Sequence, residues 1–123
     1  MKVYVAAHDR WAALYLKAFL ILRGNEVLST WHDAEFLGME AMEDKARADA
    51  ADRDIAEITA ADGLLLIAGP DKYSGGKFVE AGIALGQGKP VCVLGRLENC
   101  LLCARCVRQA STPEGAILRL ERA

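Results

Sequence analysis

The stretch from Ser74 to Pro90 carries the most chemistry in the chain, because it sets one carboxylate, Glu80, in an otherwise apolar run punctuated by glycines. At about 100° per residue, Phe78, Ala81, Gly82 and Leu85 share one face of a helix, and Glu80 shares the opposite face with Ile83, Ala84 and Gln87. A helix apolar on both faces is normally buried, and a buried carboxylate is costly unless it is paired or used. Ser74-Gly75-Gly76 reads as a cap that lets another group approach the backbone, and the positive end of the helix dipole there favours the ionised form of Glu80. Such a carboxylate suits a nucleophile or a general base. The plainer reading is an ion pair with a basic neighbour such as Lys77.

A second acid comes from the run Met39 to Ala61, which is rich in Ala, Glu, Asp and Arg, contains no Gly or Pro, and is predicted as one long helix. With Ala51 placed at 0°, Ile55, Ile58, Arg47 and Asp54 fall within about 60°. Asp54 therefore borders the expected buried stripe, whereas Asp52 and Glu57 are expected to be solvated.

The elements that must position these acids alternate. Lys2 to Ala7 reads as a central strand. Arg10 to Arg23 reads as a helix with apolar positions Trp11, Leu14, Tyr15, Ala18 and Leu22 at helical spacing, closed by Gly24-Asn25. Glu26 to Trp31 follows as a second strand, Leu64 to Ala68 as a third buried on both faces, Val91 to Gly95 as a fourth and Val107 to Ala110 as a fifth. Arg96 to Arg105 reads as a loop or short helix, and Thr112-Pro113-Glu114 opens a last helix. The pattern predicts an α/β protein with a single flavodoxin-like or Rossmannoid domain over 1–123, a five-stranded parallel sheet in the order 2-1-3-4-5, and helices on both faces. Ligands of such sheets bind beyond the carboxyl ends of the strands at the switch point. Here that gathers Ala6 to Asp9, including Ala7, the Trp31 to Asp33 turn, the Gly69 to Ser74 loop and the start of the Glu80 helix. Trp31 could stack on a base there, although aromatic residues are more often core, and His8 and His32 are expected as surface or capping residues.

Two familiar motifs are absent. Counting back from Gly76-Lys77 puts Asp71 where a P-loop has its first glycine, and Phe78 replaces the Ser or Thr. Ala6-Ala7-His8-Asp9 stands where a dinucleotide-binding glycine motif would follow the first strand. Cys100, Cys103 and Cys106 are spaced Cys-x-x-Cys-x-x-Cys but lack the fourth ligand of a ferredoxin-like run, so with Cys92 they are expected as free, partly buried thiols. No metal and no cofactor is called for. Net charge is -2 with 26% charged and 53% hydrophobic residues, which argues against a basic binder of nucleic-acid polymers and for a small-molecule substrate. No apolar run approaches the ~18 residues of a membrane span, and no signal sequence is evident, so a cytoplasmic location is expected.

Lys2 to Ala7, then Asp54 to Asp62-Gly63 ahead of a buried strand, then Gly75-Gly76-Lys77-Phe78-Val79-Glu80-Ala81-Gly82 with Gly88-Lys89-Pro90, together resemble the nucleoside 2-deoxyribosyltransferase family, which includes the 2'-deoxynucleoside 5'-phosphate N-hydrolases. The resemblance runs along nearly the whole chain in order. It implies that Glu80 is the nucleophile on the anomeric carbon, that Tyr4 orients it, and that Asp54 helps protonate the departing base or hold substrate. Asp62 matches a structural position. Ser74, six residues before Glu80, resembles the serine of the nucleotide hydrolases, where the transferases carry an acid, and with Gly75, Gly76 and Lys77 it suits a 5'-phosphate. The resemblance also implies a homo-oligomer, with Asn99 or its neighbours reaching an adjacent subunit's site. A different class stays open beside the enzyme: a module that binds a nucleotide in the same cleft without turnover.

Overall fold

The structure, a computed structural model, describes residues 1–33, 43–69 and 75–122, without the side chain of Cys100. Strands β1 (Lys2–Ala6), β2 (Glu26–Val27), β3 (Gly63–Ile67), β4 (Val91–Leu94) and β5 (Arg108–Ala110) alternate with helices α1 (Arg10–Leu22), α2 (Asp44–Ala60), α3 (Gly76–Gly86) and α4 (Pro113–Glu121). All strand pairs are parallel, and the sheet order is β2-β1-β3-β4-β5, as the alternation predicts. The switch point therefore falls between β1 and β3. Residues 39–42 of the expected long helix lie outside the described residues, and a short 3-10 helix (Cys100–Cys103) occupies the segment between β4 and β5.

Because side chains alternate across a strand, β1 divides the molecule. Val3 and Val5 pack with Leu65, Cys92, α1 and α4 on one side of the sheet, and Tyr4 and Ala6 pack with Leu64, Leu66, Val91, Val93, α2 and α3 on the other. The first side is wholly apolar at its core. The second holds a phenol.

Three sequence expectations need correction. The second strand does not reach Trp31 but stops at Val27, because side chains take over the edge of β1. The Val5 N–H donates to Ser29 Oγ at 3.1 Å, and the Val5 carbonyl accepts from Trp31 Nε1 at 2.8 Å. In α1 the core-facing residues are Ala13, Leu16 and Leu20, while Trp11, Tyr15, Ala18 and Leu22 face outward. The helix is apolar nearly all round, so spacing alone could not choose its inner face. In α2, Ala51 and Ile55 are exposed and the buried stripe runs through Ala50 and Ile58, with Asp54 and Glu57 half-buried beside it. Centred on Ala50 instead of Ala51, the stripe includes Glu57, which is not simply solvated.

The ends of the site-bearing helices are held by specific contacts. Gly88, at φ 74°, turns the chain out of α3, with its N–H on Leu85 O and the Lys89 N–H on Ala84 O. The Lys89 ammonium then donates to the terminal carbonyls of α2 at Thr59 and Ala61, which fixes α2 against α3. Asp62 and Lys2 exchange hydrogen bonds through the Asp62 N–H and carboxylate, a structural role. Gly95, at φ 115°, ends β4 where a Cβ would lie 2.9 Å from that of Ala68.

Candidate active site

Tyr4 is fully buried on β1 and points toward α3, where its hydroxyl donates a short hydrogen bond to Glu80 Oε2. Glu80 stands on the second turn of α3, beyond the first-turn N–H groups, so the helix dipole helps it little. Burial raises its pKa to about 7, the Tyr4 hydrogen bond pulls it down, and the charges of Asp54 and Glu57 push it up. The expectation of a firmly ionised carboxylate is thus corrected: burial outweighs the helix end, and the group titrates near neutrality. Burial and the adjacent Glu80 charge drive the Tyr4 phenol well above its usual range, so it stays a proton donor.

Asp54 joins the pair from α2. Its Oδ1 is buried with no hydrogen-bond partner among the described residues, although the Arg53 guanidinium sits 3.5 Å away, an ion-pair distance. Burial raises the Asp54 pKa, with Arg53 opposing and Glu57 adding to the rise. Glu57, one turn further along α2, is held through both oxygens by Thr30: the Thr30 N–H donates to Oε1 at 3.1 Å and the hydroxyl to Oε2 at 2.8 Å. Sequence reasoning missed this third acid because it depends on a contact with a distant loop. The one local signal was its three-residue spacing from Asp54.

Lys77 does not pair with Glu80. Its side chain, 0% exposed, turns to the other edge of α3 and donates to Gly69 O at 3.0 Å and Glu98 Oε1 at 3.2 Å, while Glu98 Oε1 also accepts the Gly69 N–H at 3.0 Å. The clasp anchors the start of α3 to the end of β3. It also commits the Lys77 ammonium, which is therefore no ready phosphate ligand.

A cavity of about 580 Å³ opens at the carboxyl ends of β1 and β3, lined by Ala7, His8, Asp9, Arg10, Ala12, Ile67, Ala68, Gly69 and Lys77. Tyr4 and Glu80 are not in its described wall. The cavity lies toward the start of α1, on the side of the sheet where Ala7 and Ile67 pack with Val3 and Val5, whereas Tyr4 lies on the side of α2 and α3. Gly75 is the N-cap of α3, without a side-chain cap, and Gly76 its first residue; Ser74 lies outside the described residues. Trp31 is half-buried with its indole N–H engaged by Val5 O, and is not in the described wall. The Asn99 side-chain oxygen caps the 3-10 helix at the Leu101 N–H, 2.9 Å away, and no described hydrogen bond links it to Glu80.

The turn after β2 deserves separation from this site. Ser29 Oγ lies 2.8 Å from His32 Nε2, and His32 Nδ1 lies 3.1 Å from Asp33 Oδ1, the residue types of a hydrolytic triad. Yet Ser29 and His32 are 0% exposed, and Ser29 Oγ already takes the Val5 N–H. The set is a brace for the sheet edge, with the His32 pKa lowered mainly by burial. His32 is therefore not the surface residue expected. Cys103 and Cys106 are exposed free thiols, not partly buried ones, and Cys92 is buried. Among the described residues no helix is long and apolar enough to cross a membrane.

No protein-family model matches the sequence, and no curated protein matches it. Solved structures do share the fold. A 2-deoxyribosyltransferase from Bacillus psychrosaccharolyticus matches with a TM-score of 0.70 and 23% identity, covering 93% of this chain and 88% of its own. A Clostridium botulinum CMP N-glycosidase, BcmB, matches at 0.64 and 18% identity over 98% and 99%, and a conserved protein from Enterococcus faecalis V583 at 0.66 and 16% over 99% and 98%. The chain therefore has the α/β fold of these proteins, with the same single-sheet architecture from end to end.

Proposed function

We propose that this protein cleaves the N-glycosidic bond of a 2'-deoxynucleoside or its 5'-monophosphate, by transfer or hydrolysis. The observation that carries the reading is the buried Tyr4–Glu80 pair, with Asp54 close enough for its charge to raise the Glu80 pKa. Tyr4 holds Oε2 and leaves Oε1 of Glu80 to attack the anomeric carbon. The C–N bond breaks, Asp54 gives its proton to the departing base, and a glycosyl ester forms on Glu80. Water, or a second base, then attacks the same carbon, gives its proton back to Asp54 and regenerates the Glu80 carboxylate. The raised Asp54 pKa suits a proton donor, and the permanently protonated Tyr4 suits an orienting donor.

We assign the sugar to Ala7 and Glu80 and a 5'-phosphate to Ser74, Gly75 and Gly76, as the resemblance implies. Trp31 borders the base. The protein works as a homo-oligomer in which Asn99, whose amide nitrogen is not used in its cap, serves a neighbouring copy's site. The fold shared with a 2-deoxyribosyltransferase and a CMP N-glycosidase supports the bond type and adds ribonucleotides to the substrates worth assaying.

The experiment is chromatographic detection of free base from a panel of nucleosides and 5'-monophosphates, with and without an acceptor base. Base release without acceptor identifies a hydrolase, and a new nucleoside only with acceptor a transferase. Binding without any release from the panel contradicts the reading in favour of a non-catalytic nucleotide-binding module.

A further inference from the structure

A second cavity, of about 260 Å³, lies between α4 and β5 and is lined by Arg108, Gly115, Leu118, Arg119 and Arg122. Spacings of three, one and three residues put the last four on one face of α4 and its C-cap. Arg108 opens β5 and pairs with Cys92 of β4, and paired residues of neighbouring strands point to the same side of the sheet, so Arg108 faces α4 as Cys92 does. The charges of Arg119 and Arg108 both reach the Cys92 thiol, so the two guanidiniums gather over one point. No lining residue is acidic. Of the acids of α4, Glu114 is paired with Arg23 at 3.2 Å and Glu121 is exposed outside the wall. Among the described residues no carboxylate pairs with Arg108, Arg119 or Arg122, and Arg108 gives one nitrogen to the Cys106 carbonyl at 3.2 Å. A basic last turn complements the helix dipole, which accounts for Arg119 and Arg122 but not for Arg108. Like charges three residues apart on a helix repel, and an anion between them removes the repulsion.

We propose that this groove binds a phosphoryl group, as free phosphate or as the phosphate monoester of a compact molecule. Planar guanidiniums present paired N–H donors that match phosphate oxygens two at a time, and three of them suit a dianion with several terminal oxygens better than a single carboxylate. The volume falls below the ~300–1,000 Å³ typical of pockets for drug-sized ligands, which limits the guest to a phosphoryl group with a small body. Leu118, 44% exposed, offers the carbon part of a monoester an apolar contact. The groove is separate from the candidate active site. α4 packs on the side of the sheet away from Tyr4, and its last turn lies at the amino ends of the strands, where Leu120 sits against Gly63, the first residue of β3. The proposal therefore does not rest on the chemistry of Glu80.

NMR titration of the full chain with inorganic phosphate, glycerol 3-phosphate and glycerol tests it, read at the arginine Nε–H resonances and repeated with sodium chloride at matched ionic strength. Both phosphates are expected to shift Arg108, Arg119 and Arg122 saturably, and glycerol and chloride to leave them in place. Tighter binding of glycerol 3-phosphate than of inorganic phosphate supports the monoester as occupant, and binding no tighter supports the free ion. Arg108→Gln and Arg119→Gln, each shown to be folded by circular dichroism, should weaken binding by about 10-fold, whereas Glu80→Gln should bind as the wild type does. The absence of a saturable shift at these arginines, an equal response to chloride, binding unchanged in both arginine variants, or binding lost in Glu80→Gln would each overturn the proposal.

Discussion

The two sides of the sheet are built from the same strands to opposite ends. Toward α1 and α4, β1 sends Val3 and Val5 into a core of Leu, Ala, Ile and Cys side chains. Toward α2 and α3 it sends Tyr4, and there Glu80, Asp54 and Glu57 approach one another with no cation on Glu80 among the described residues. One side is relaxed, and the other keeps repelling carboxylates close together. Groups that raise one another's pKa in this way are found where protons and nucleophiles are needed. Substitutions on the first side should cost stability and spare chemistry, whereas those on the second should do the reverse.

The largest expected effect is on turnover. Glu80→Gln keeps the Tyr4 hydrogen bond but removes the nucleophile, and base release should fall by about 10³-fold or more. Leu65→Ala, at a position with no exposure in the apolar core, is expected to cost about 2–5 kcal/mol in denaturant unfolding while the folded fraction keeps its specific activity. If Leu65→Ala impaired catalysis and Glu80→Gln impaired folding to similar extents, the division between the two sides would fail.

The same carboxylate should reveal itself in stability. Its folded pKa of about 7 lies above the ordinary 4.5, so the native state holds its proton more tightly than the unfolded chain. The stabilisation is full below about 4.5 and is lost as pH rises through 7. Thermal unfolding should therefore show Glu80→Gln gaining on the wild type between pH 5 and pH 8, by on the order of 2 kcal/mol. A constant difference across that range would mean that Glu80 is not held in a desolvated, repelling environment.

The smallest expected effect isolates Glu57. Because its charge helps raise Glu80, Glu57→Gln should move the acid limb of the kcat/KM profile to lower pH by roughly half a unit. A shift to higher pH would contradict the placement of Glu57 among the acids.

Much of this division was legible in the sequence. The alternation of elements gave the sheet order, and the oddity of one acid in an apolar helix singled out Glu80. Asp54 emerged from the helical spacing of α2 even though the stripe was centred one residue off, since a 100° error still left Asp54 at its border. What could not be read were features decided by partners far along the chain. The second strand shortens because Ser29 and Trp31 side chains satisfy Val5, Lys77 is taken by Glu98, and Glu57 is taken by Thr30. In α1 both faces are apolar, and the choice fell to the face whose small Ala13 faces the sheet core.

The most direct test of the central claim is mass spectrometry of the protein quenched in acid during turnover and digested. A pentosyl ester on the peptide that contains Glu80, absent from Glu80→Gln, is the predicted result. Sustained base release by the wild type with the adduct on another residue, or with Glu80→Gln equally active, would contradict it.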